Sequence, residues 1–84
     1  MATVTVRYFA AARAAAGGLD QETVEADTPE SAFAALVATH GPELARVVGI
    51  SSYLLDGVSL SREALGERVV GAVRIDVLPP FAGG

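Results

Sequence analysis

The sequence predicts an α+β fold in which a mixed sheet of four or five strands is covered by one main helix. Two segments, one near each end of the chain, alternate strictly between apolar and more polar residues, as strands with one buried face do. Between them lies a segment with a helix-capping start and an apolar stripe at helical spacing. The chain has 84 residues, enough for one domain but not two.

The first half of the chain begins with a predicted strand over residues 3–9, where two valines and Tyr8 alternate with polar residues. The alanine-rich segment 10–16 has high helix propensity but few bulky apolar residues, which indicates a short helix or helical turn. Residues 21–26 place β-branched side chains between charges, a pattern typical of an exposed strand near the edge of a sheet.

The main helix is predicted to begin at Thr28, which can cap it, with Pro29 in the first helical turn. Its apolar face combines residues three and four apart: Ala32, Phe33, Leu36, Val37 and His40. A Gly-Pro pair at 41–42 ends the helix, and residues 43–48 are expected to add another helical turn. Since a cation near a helix C-terminus is stabilised by the helix dipole, we expect a structural role for His40 rather than metal binding.

The second half of the chain contains a predicted hairpin and the last strand. The hairpin covers residues 52–60 and turns at an Asp-Gly pair. The last strand covers residues 73–78, and the prolines that follow cannot continue a hydrogen-bonded ladder. We expect the first and last strands to be parallel central neighbours whose valine faces are covered by the helix. Their period of two then places Phe9 and Leu78 together on the opposite face.

Composition excludes several classes of function. The chain has no cysteine and only one histidine, which removes thiolate chemistry, and we expect no metal site. Ten acidic residues against six basic ones give a net charge of -4, and the arginines are scattered along the sequence, so nucleic-acid binding is not expected. Without a long apolar run or a recognisable targeting segment, we expect no membrane association and a cytoplasmic protein.

The C-terminal residues form a pattern of their own. We predict a folded domain over residues 1–78 and an extended tail over residues 79–84. Pro79 and Pro80 restrict the backbone and favour an extended chain, and Phe81 supplies one aromatic anchor. The remaining tail residues are small enough to enter a narrow channel: Ala82, Gly83 and Gly84. Fully extended, the tail can reach roughly 20 Å. The competing interpretation is a frayed terminus without function.

The tail and two further segments resemble a known family. The ending Asp-Val-Leu-Pro-Pro-Phe-Ala-Gly-Gly at 76–84, the segment Val-Arg-Tyr-Phe-Ala-Ala-Ala-Arg at 6–13 and Tyr-Leu-Leu-Asp-Gly at 53–57 are similar to the small, sulfur-carrying subunit of molybdopterin synthase. The similarity extends over nearly the whole chain. It implies the ubiquitin-like β-grasp fold, which agrees with the roll expected from the alternating strands.

The resemblance also implies a function in which the chain is a carrier and not an enzyme. An ATP-dependent activating enzyme of the E1-like type would adenylate the carboxylate of Gly84, and a sulfur donor would convert it to a thiocarboxylate. The tail would then enter the large subunit of molybdopterin synthase, in an assembly of two large and two small subunits, and give its sulfur to cyclic pyranopterin monophosphate. The chain itself would bind no cofactor, since the ATP is used by the activating enzyme.

Partner contacts are expected from one sheet face and from the tail. The sheet-face residues are Arg7, Phe9, Arg74 and Leu78. The tail residues are Pro79, Pro80, Phe81, Ala82 and Gly83. Three alternatives stay open: a sulfur carrier for another pathway (thiamin, cysteine or a thiosugar), a ubiquitin-like modifier attached to target lysines through Gly84, and an interaction domain with no carrier function.

Overall fold

A computed structural model describes residues 1–80 and shows a mixed five-stranded sheet with helices on one side. In chain order its elements are β1 (Ala2–Tyr8), α1 (Ala11–Ala15), β2 (Gln21–Ala26), α2 (Pro29–His40), α3 (Pro42–Ile50), β3 (Ser52–Leu55), β4 (Val58–Leu60), a 3₁₀ helix (Arg62–Gly66) and β5 (Ala72–Leu78). The strand order is β2-β1-β5-β3-β4. β1 and β5 are parallel and every other pairing is antiparallel, so the predicted α+β roll is confirmed.

Buried apolar residues occupy alternate positions along the two central strands, as their sequences predict. On β1 every second residue is buried, from Ala2 to Tyr8, and the residues between them are only partly buried. On β5 the fully buried apolar residues are Ile75 and Val77, which pair with Val6 and Tyr8. β1 ends one residue earlier than predicted, because the residue after Phe9 takes a φ of 51°, which strands do not adopt.

The main helix starts as its sequence predicts. The Thr28 hydroxyl accepts a hydrogen bond from the backbone N–H of Ser31 at 3.0 Å, and the Ser31 hydroxyl accepts one from the Thr28 N–H at 3.1 Å. This reciprocal pair satisfies backbone donors that the first helical turn would otherwise leave free. Phe33 and Leu36 bury their side chains on the sheet side of α2. Within residues 1–80 no helix combines the length and apolar character needed to cross a bilayer.

Two helical elements differ from the prediction. The turn expected over residues 43–48 is a helix of nine residues, α3, and its spacing places Leu44 and Val47 in the core. The 3₁₀ helix after β4 was not predicted. The Ser61 hydroxyl caps it by accepting a hydrogen bond from the backbone N–H of Ala64 at 3.2 Å, and Arg62 connects it to the start of the hairpin. The guanidinium donates to the hydroxyl of Tyr53 at 3.1 Å and to the carbonyl of Ser51 at 3.0 Å, contacts that depend on residues distant in sequence.

Candidate docking and tail site

The chain leaves the sheet at the end of a central strand. Leu78 is the last residue of β5 and pairs with Ser52 of β3. Pro79 is half-buried and Pro80 is exposed, and neither belongs to a strand. Because proline has no backbone N–H, the ladder stops here as the sequence predicts. The predictions for the rest of the tail fall outside the described residues: Phe81, Ala82, Gly83 and Gly84.

Beside this exit lies the open face, which we define as the sheet surface opposite the helices that carries Arg7 and Phe9 from the β1 side and Arg74, Asp76 and Leu78 from β5. The parallel register pairs Arg7 with Asp76, so their side chains project from the same face. The Arg7 guanidinium carbon lies 5.4 Å from the centre of the Phe9 ring, within cation–π range. All four sheet-face residues predicted to contact partners therefore belong to one surface next to the tail.

Asp76 is the residue of this surface that the sequence analysis missed. Its carboxylate accepts hydrogen bonds from Arg7 Nε at 2.8 Å and Nη2 at 3.3 Å, a two-point contact, and Nε of Arg74 lies 3.5 Å away. Asp76 is only 5% exposed although it faces away from the core. The arginines are scattered along the sequence, but the fold brings these two to one carboxylate. The signal that could have found Asp76 is its place in the alternation between Arg74 and Leu78.

A shallow groove crosses the open face. Its volume is about 380 Å³. Its lining is mostly polar and comes from several strands and the β3–β4 turn: Thr5, Arg7, Gln21, Asp56, Ala72, Val73 and Arg74. Asp56 also accepts a hydrogen bond from the backbone N–H of Arg74 at 2.8 Å, which ties the turn to β5. Across residues 1–80 no three histidine, aspartate or glutamate side chains come together as a metal-binding group. The groove is thus suited to polar contact with another molecule.

On the helix side of the sheet, three polar side chains join the ends of α2, β1 and β2. The Glu22 carboxylate accepts hydrogen bonds from the Tyr8 hydroxyl at 2.8 Å and from Nε2 of His40 at 2.5 Å. Burial, reinforced by the hydrogen bond to Glu22, raises the pKa of Tyr8 above its ordinary value. His40 therefore has a specific partner 18 residues away in sequence, besides the helix dipole from which its structural role was predicted. These hydrogen bonds connect the C-terminal end of α2 to the end of β1, the strand that precedes Phe9.

Comparison with solved structures places this fold among small proteins of the same length. The crystal structure of small archaeal modifier protein 1 from Haloferax volcanii is 28% identical, with a TM-score of 0.78 over 98% of this chain and 99% of that one. The solution structure of small archaeal modifier protein 1 from Methanosarcina acetivorans is 25% identical, with a TM-score of 0.83 over 100% of this chain and 98% of that one.

A third similar structure comes from a complex. It is the complex of subunits 1 and 2 of molybdopterin-converting factor from Helicobacter pylori, matched at 20% identity and a TM-score of 0.68 over 98% of this chain and 99% of that one. No protein-family model and no curated protein matches the sequence. The chain has the ubiquitin-like β-grasp fold shared by these small modifier and molybdopterin-converting-factor proteins, which confirms the resemblance drawn from its sequence.

Proposed function

We propose that the chain is a ubiquitin-like sulfur carrier in which the carboxylate of Gly84 is the reactive group. The observation that carries this proposal is the position of the tail, which starts at the end of a central strand, beside the open face. β5 is hydrogen-bonded to β1 on one side and β3 on the other, so the point from which the tail extends is fixed. Pro79 and Pro80 then direct the chain away from the ladder.

The chemistry requires activation of the carboxylate before sulfur can be attached. A carboxylate is a poor electrophile because its charge is delocalised. In the proposed first step, a carboxylate oxygen of Gly84 attacks the α-phosphorus of ATP and pyrophosphate leaves, which forms an acyl adenylate on the activating enzyme. Sulfide then attacks the carbonyl carbon, the carbon–oxygen bond to the phosphate breaks and AMP leaves, so that a thiocarboxylate remains. No side chain of the carrier takes part in these steps.

The proposed acceptor is cyclic pyranopterin monophosphate in the synthesis of molybdopterin, with the chain as the small subunit of molybdopterin synthase in the cytoplasm. Two observations support this choice: the Pro-Pro-x-x-Gly-Gly ending and the structural similarity to subunit 1 of a molybdopterin-converting factor in complex with subunit 2. The large subunit would supply the catalytic side chains, in an assembly of two large and two small subunits.

Docking is proposed to use the open face together with the tail. Phe9 and Leu78 supply apolar contact area, and Arg7 and Arg74 supply hydrogen-bond donors. Arg74 and Leu78 lie on β5, from which the tail extends, while Arg7 lies on the neighbouring strand β1 and Phe9 directly follows it. One partner surface can therefore contact all four while the tail enters the partner's channel. The proposed tail contacts are Pro79, Pro80, Phe81, Ala82 and Gly83.

Intact-mass measurement tests the carrier function directly. The chain is incubated with the activating enzyme of its organism, ATP and sulfide, and we expect one oxygen to be replaced by sulfur at the C-terminus. A variant lacking Gly84 should stay unmodified while keeping its thermal stability, since a terminal residue adds little to the core. Sulfur incorporation in that variant, or none in the wild type, would rule the proposal out. Formation of the dithiolene with the large subunit and cyclic pyranopterin monophosphate separates this pathway from thiamin, cysteine or thiosugar synthesis.

A second candidate function is protein modification, which is favoured by the similarity to two proteins named small archaeal modifier protein 1. In this case a lysine amine of a target protein would attack the carbonyl carbon of the Gly84 adenylate, an isopeptide bond would form, and AMP and a proton would leave. Expression of the chain in its own organism, followed by protease digestion and mass spectrometry, should then reveal target lysines that carry its C-terminal remnant. The carrier function alone predicts a thiocarboxylate and no such remnants.

A further inference from the structure

We propose that Asp76 is a positioning residue of the open face: it holds Arg7, and through Arg7 the ring of Phe9, in the arrangement that a docking partner contacts. The inference rests on the proposed function, because it takes the open face to be the docking surface. Asp76 itself is not expected to contact the partner, since only 5% of it is exposed.

The burial of Asp76 is unusual for a carboxylate on the side of the sheet that no helix covers. Burying a charge is costly unless it is paired and hydrogen-bonded. Here both carboxylate oxygens are used, by Nε and Nη2 of Arg7, while Nε of Arg74 adds a second positive charge at 3.5 Å. A carboxylate held in this way fixes the planar guanidinium of Arg7 in one orientation.

Arg7 connects Asp76 to Phe9. One edge of its guanidinium binds the carboxylate, and its central carbon lies 5.4 Å from the centre of the Phe9 ring. An arginine side chain loses considerable conformational entropy when it is ordered, and an aromatic anchor held in place loses less on binding. In the free chain Asp76 has already ordered Arg7, so less side-chain conformational entropy is lost when the partner binds.

The same geometry indicates the chemistry of the partner surface. The side chains of Arg7 and Arg74 are still 39% and 46% exposed, and a guanidinium has only hydrogen-bond donors. The partner should therefore present carboxylate or carbonyl oxygens on either side of an apolar pocket that receives Phe9 and Leu78. A partner with lysine or arginine side chains at these positions would be rejected.

The experiment compares the wild type with Asp76→Asn, which keeps the shape of the side chain and removes its charge. In the free chain, NMR should show faster solvent exchange of the Nε–H of Arg7 in the variant. Binding to the large synthase subunit, measured by calorimetry, should be roughly tenfold weaker, the loss expected when ordered side chains become free. The same substitution in an Arg7→Met background should change affinity little, because the residue through which Asp76 acts is gone.

Glu43→Gln is the matched control, because Glu43 also binds an arginine at two points, Arg46 at 3.1 and 2.6 Å, but on the exposed side of α3. It should leave affinity unchanged. Should Asp76→Asn fail to fold, Asp76→Leu replaces it, since leucine places no unpaired polar group at the buried position, while Arg7 and Arg74 are exposed enough to be hydrated.

The outcomes separate the two proposals. If the wild type binds neither the large subunit nor the activating enzyme, the proposed function fails and the docking role fails with it. If the wild type binds and Asp76→Asn binds equally well, or if the loss is as large in the Arg7→Met background, only the positioning role is overturned.

Discussion

Replacement of Glu22 by alanine tests how the helix side of the sheet is held together. The Glu22 carboxylate is the acceptor for both the Tyr8 hydroxyl and Nε2 of His40. Tyr8 is 1% exposed, so its hydroxyl would have no other acceptor in Glu22→Ala, whereas the His40 side chain is 14% exposed and can partly turn to water. The substitution therefore leaves one donor fully unsatisfied and a second one partly so.

The expected decrease in the free energy of unfolding follows from these exposed fractions. An unsatisfied buried donor costs about 1–3 kcal/mol, and a partly hydrated one less, which gives a total of about 2–4 kcal/mol for Glu22→Ala. For a chain of this length the whole free energy of unfolding is about 4–12 kcal/mol. In a Tyr8→Phe background no hydroxyl needs the carboxylate, so the cost should fall to about 1 kcal/mol.

Urea unfolding at neutral pH, followed by far-ultraviolet circular dichroism, measures these differences. Glu25→Ala is the control, because Glu25 lies on the same strand but on the exposed face, where it accepts one hydrogen bond from Thr3 at 2.7 Å; we expect a change within about 0.5 kcal/mol. Equal losses for Glu22→Ala and Glu25→Ala, or strict additivity of Glu22→Ala with Tyr8→Phe, would refute the reasoning.

Three further predictions concern other parts of the chain. Burial, reinforced by a neighbouring carboxylate, raises the pKa of Tyr8. Its contribution to stability is therefore complete below about pH 10 and is lost at higher pH, where the unfolded chain releases its proton first. Tyr8→Phe should flatten the pH dependence of the free energy of unfolding above about pH 10, and an unchanged slope would contradict this. Phe9→Ala and Leu78→Ala should each weaken binding to the large subunit by roughly thirtyfold, as loss of an interface hot spot does. Val70→Ala is the control, because Val70 is 79% exposed and precedes β5, at the other end of that strand from Leu78; it should not weaken binding, and an equal effect would mean that the contact is not specific. Thr28→Ala should lower the free energy of unfolding by about 1 kcal/mol in urea titrations, while Thr28→Ser should retain most of it; equal losses would show that the hydroxyl does not act as the helix cap.

The central strands were predictable because alternation fixes which side of a strand is buried. The parallel neighbours β1 and β5, and the face on which Arg7 and Arg74 lie, follow from period two and from chain topology. Alternation does not fix the offset between two strands, however, and a shift of two residues would leave the same faces buried. The pairing of Arg7 with Asp76, and hence the burial of that carboxylate, therefore required the structure.

The other differences also come from contacts between residues far apart in sequence. His40 lies on the apolar face of its helix as predicted, but its partner Glu22 is on an edge strand that shows no pattern pointing to it. The 3₁₀ helix has one local signal, the Ser61 hydroxyl that caps it by accepting a hydrogen bond from the backbone N–H of Ala64 at 3.2 Å. Its placement depends on Arg62, which lies 5.5 Å from the centre of the Tyr53 ring. Helix and strand patterns are local, whereas these contacts depend on the assembled fold, and tertiary packing overrides propensity there.

The strand order gives a reason for the reactive tail of a carrier to follow a central strand. A residue at the end of an edge strand is held by one neighbour, whereas Val77 of β5 pairs with Tyr8 of β1 on one side and with Tyr53 of β3 on the other, so the strand is held on both sides up to the residue before Leu78. A partner that binds the open face therefore receives the following residues at a defined distance, which raises their effective concentration at its channel without any new contact. The advantage depends on a rigid docking surface as well as a rigid exit. The ordering of Arg7 and Phe9 by Asp76 supplies that rigidity on the same pair of strands.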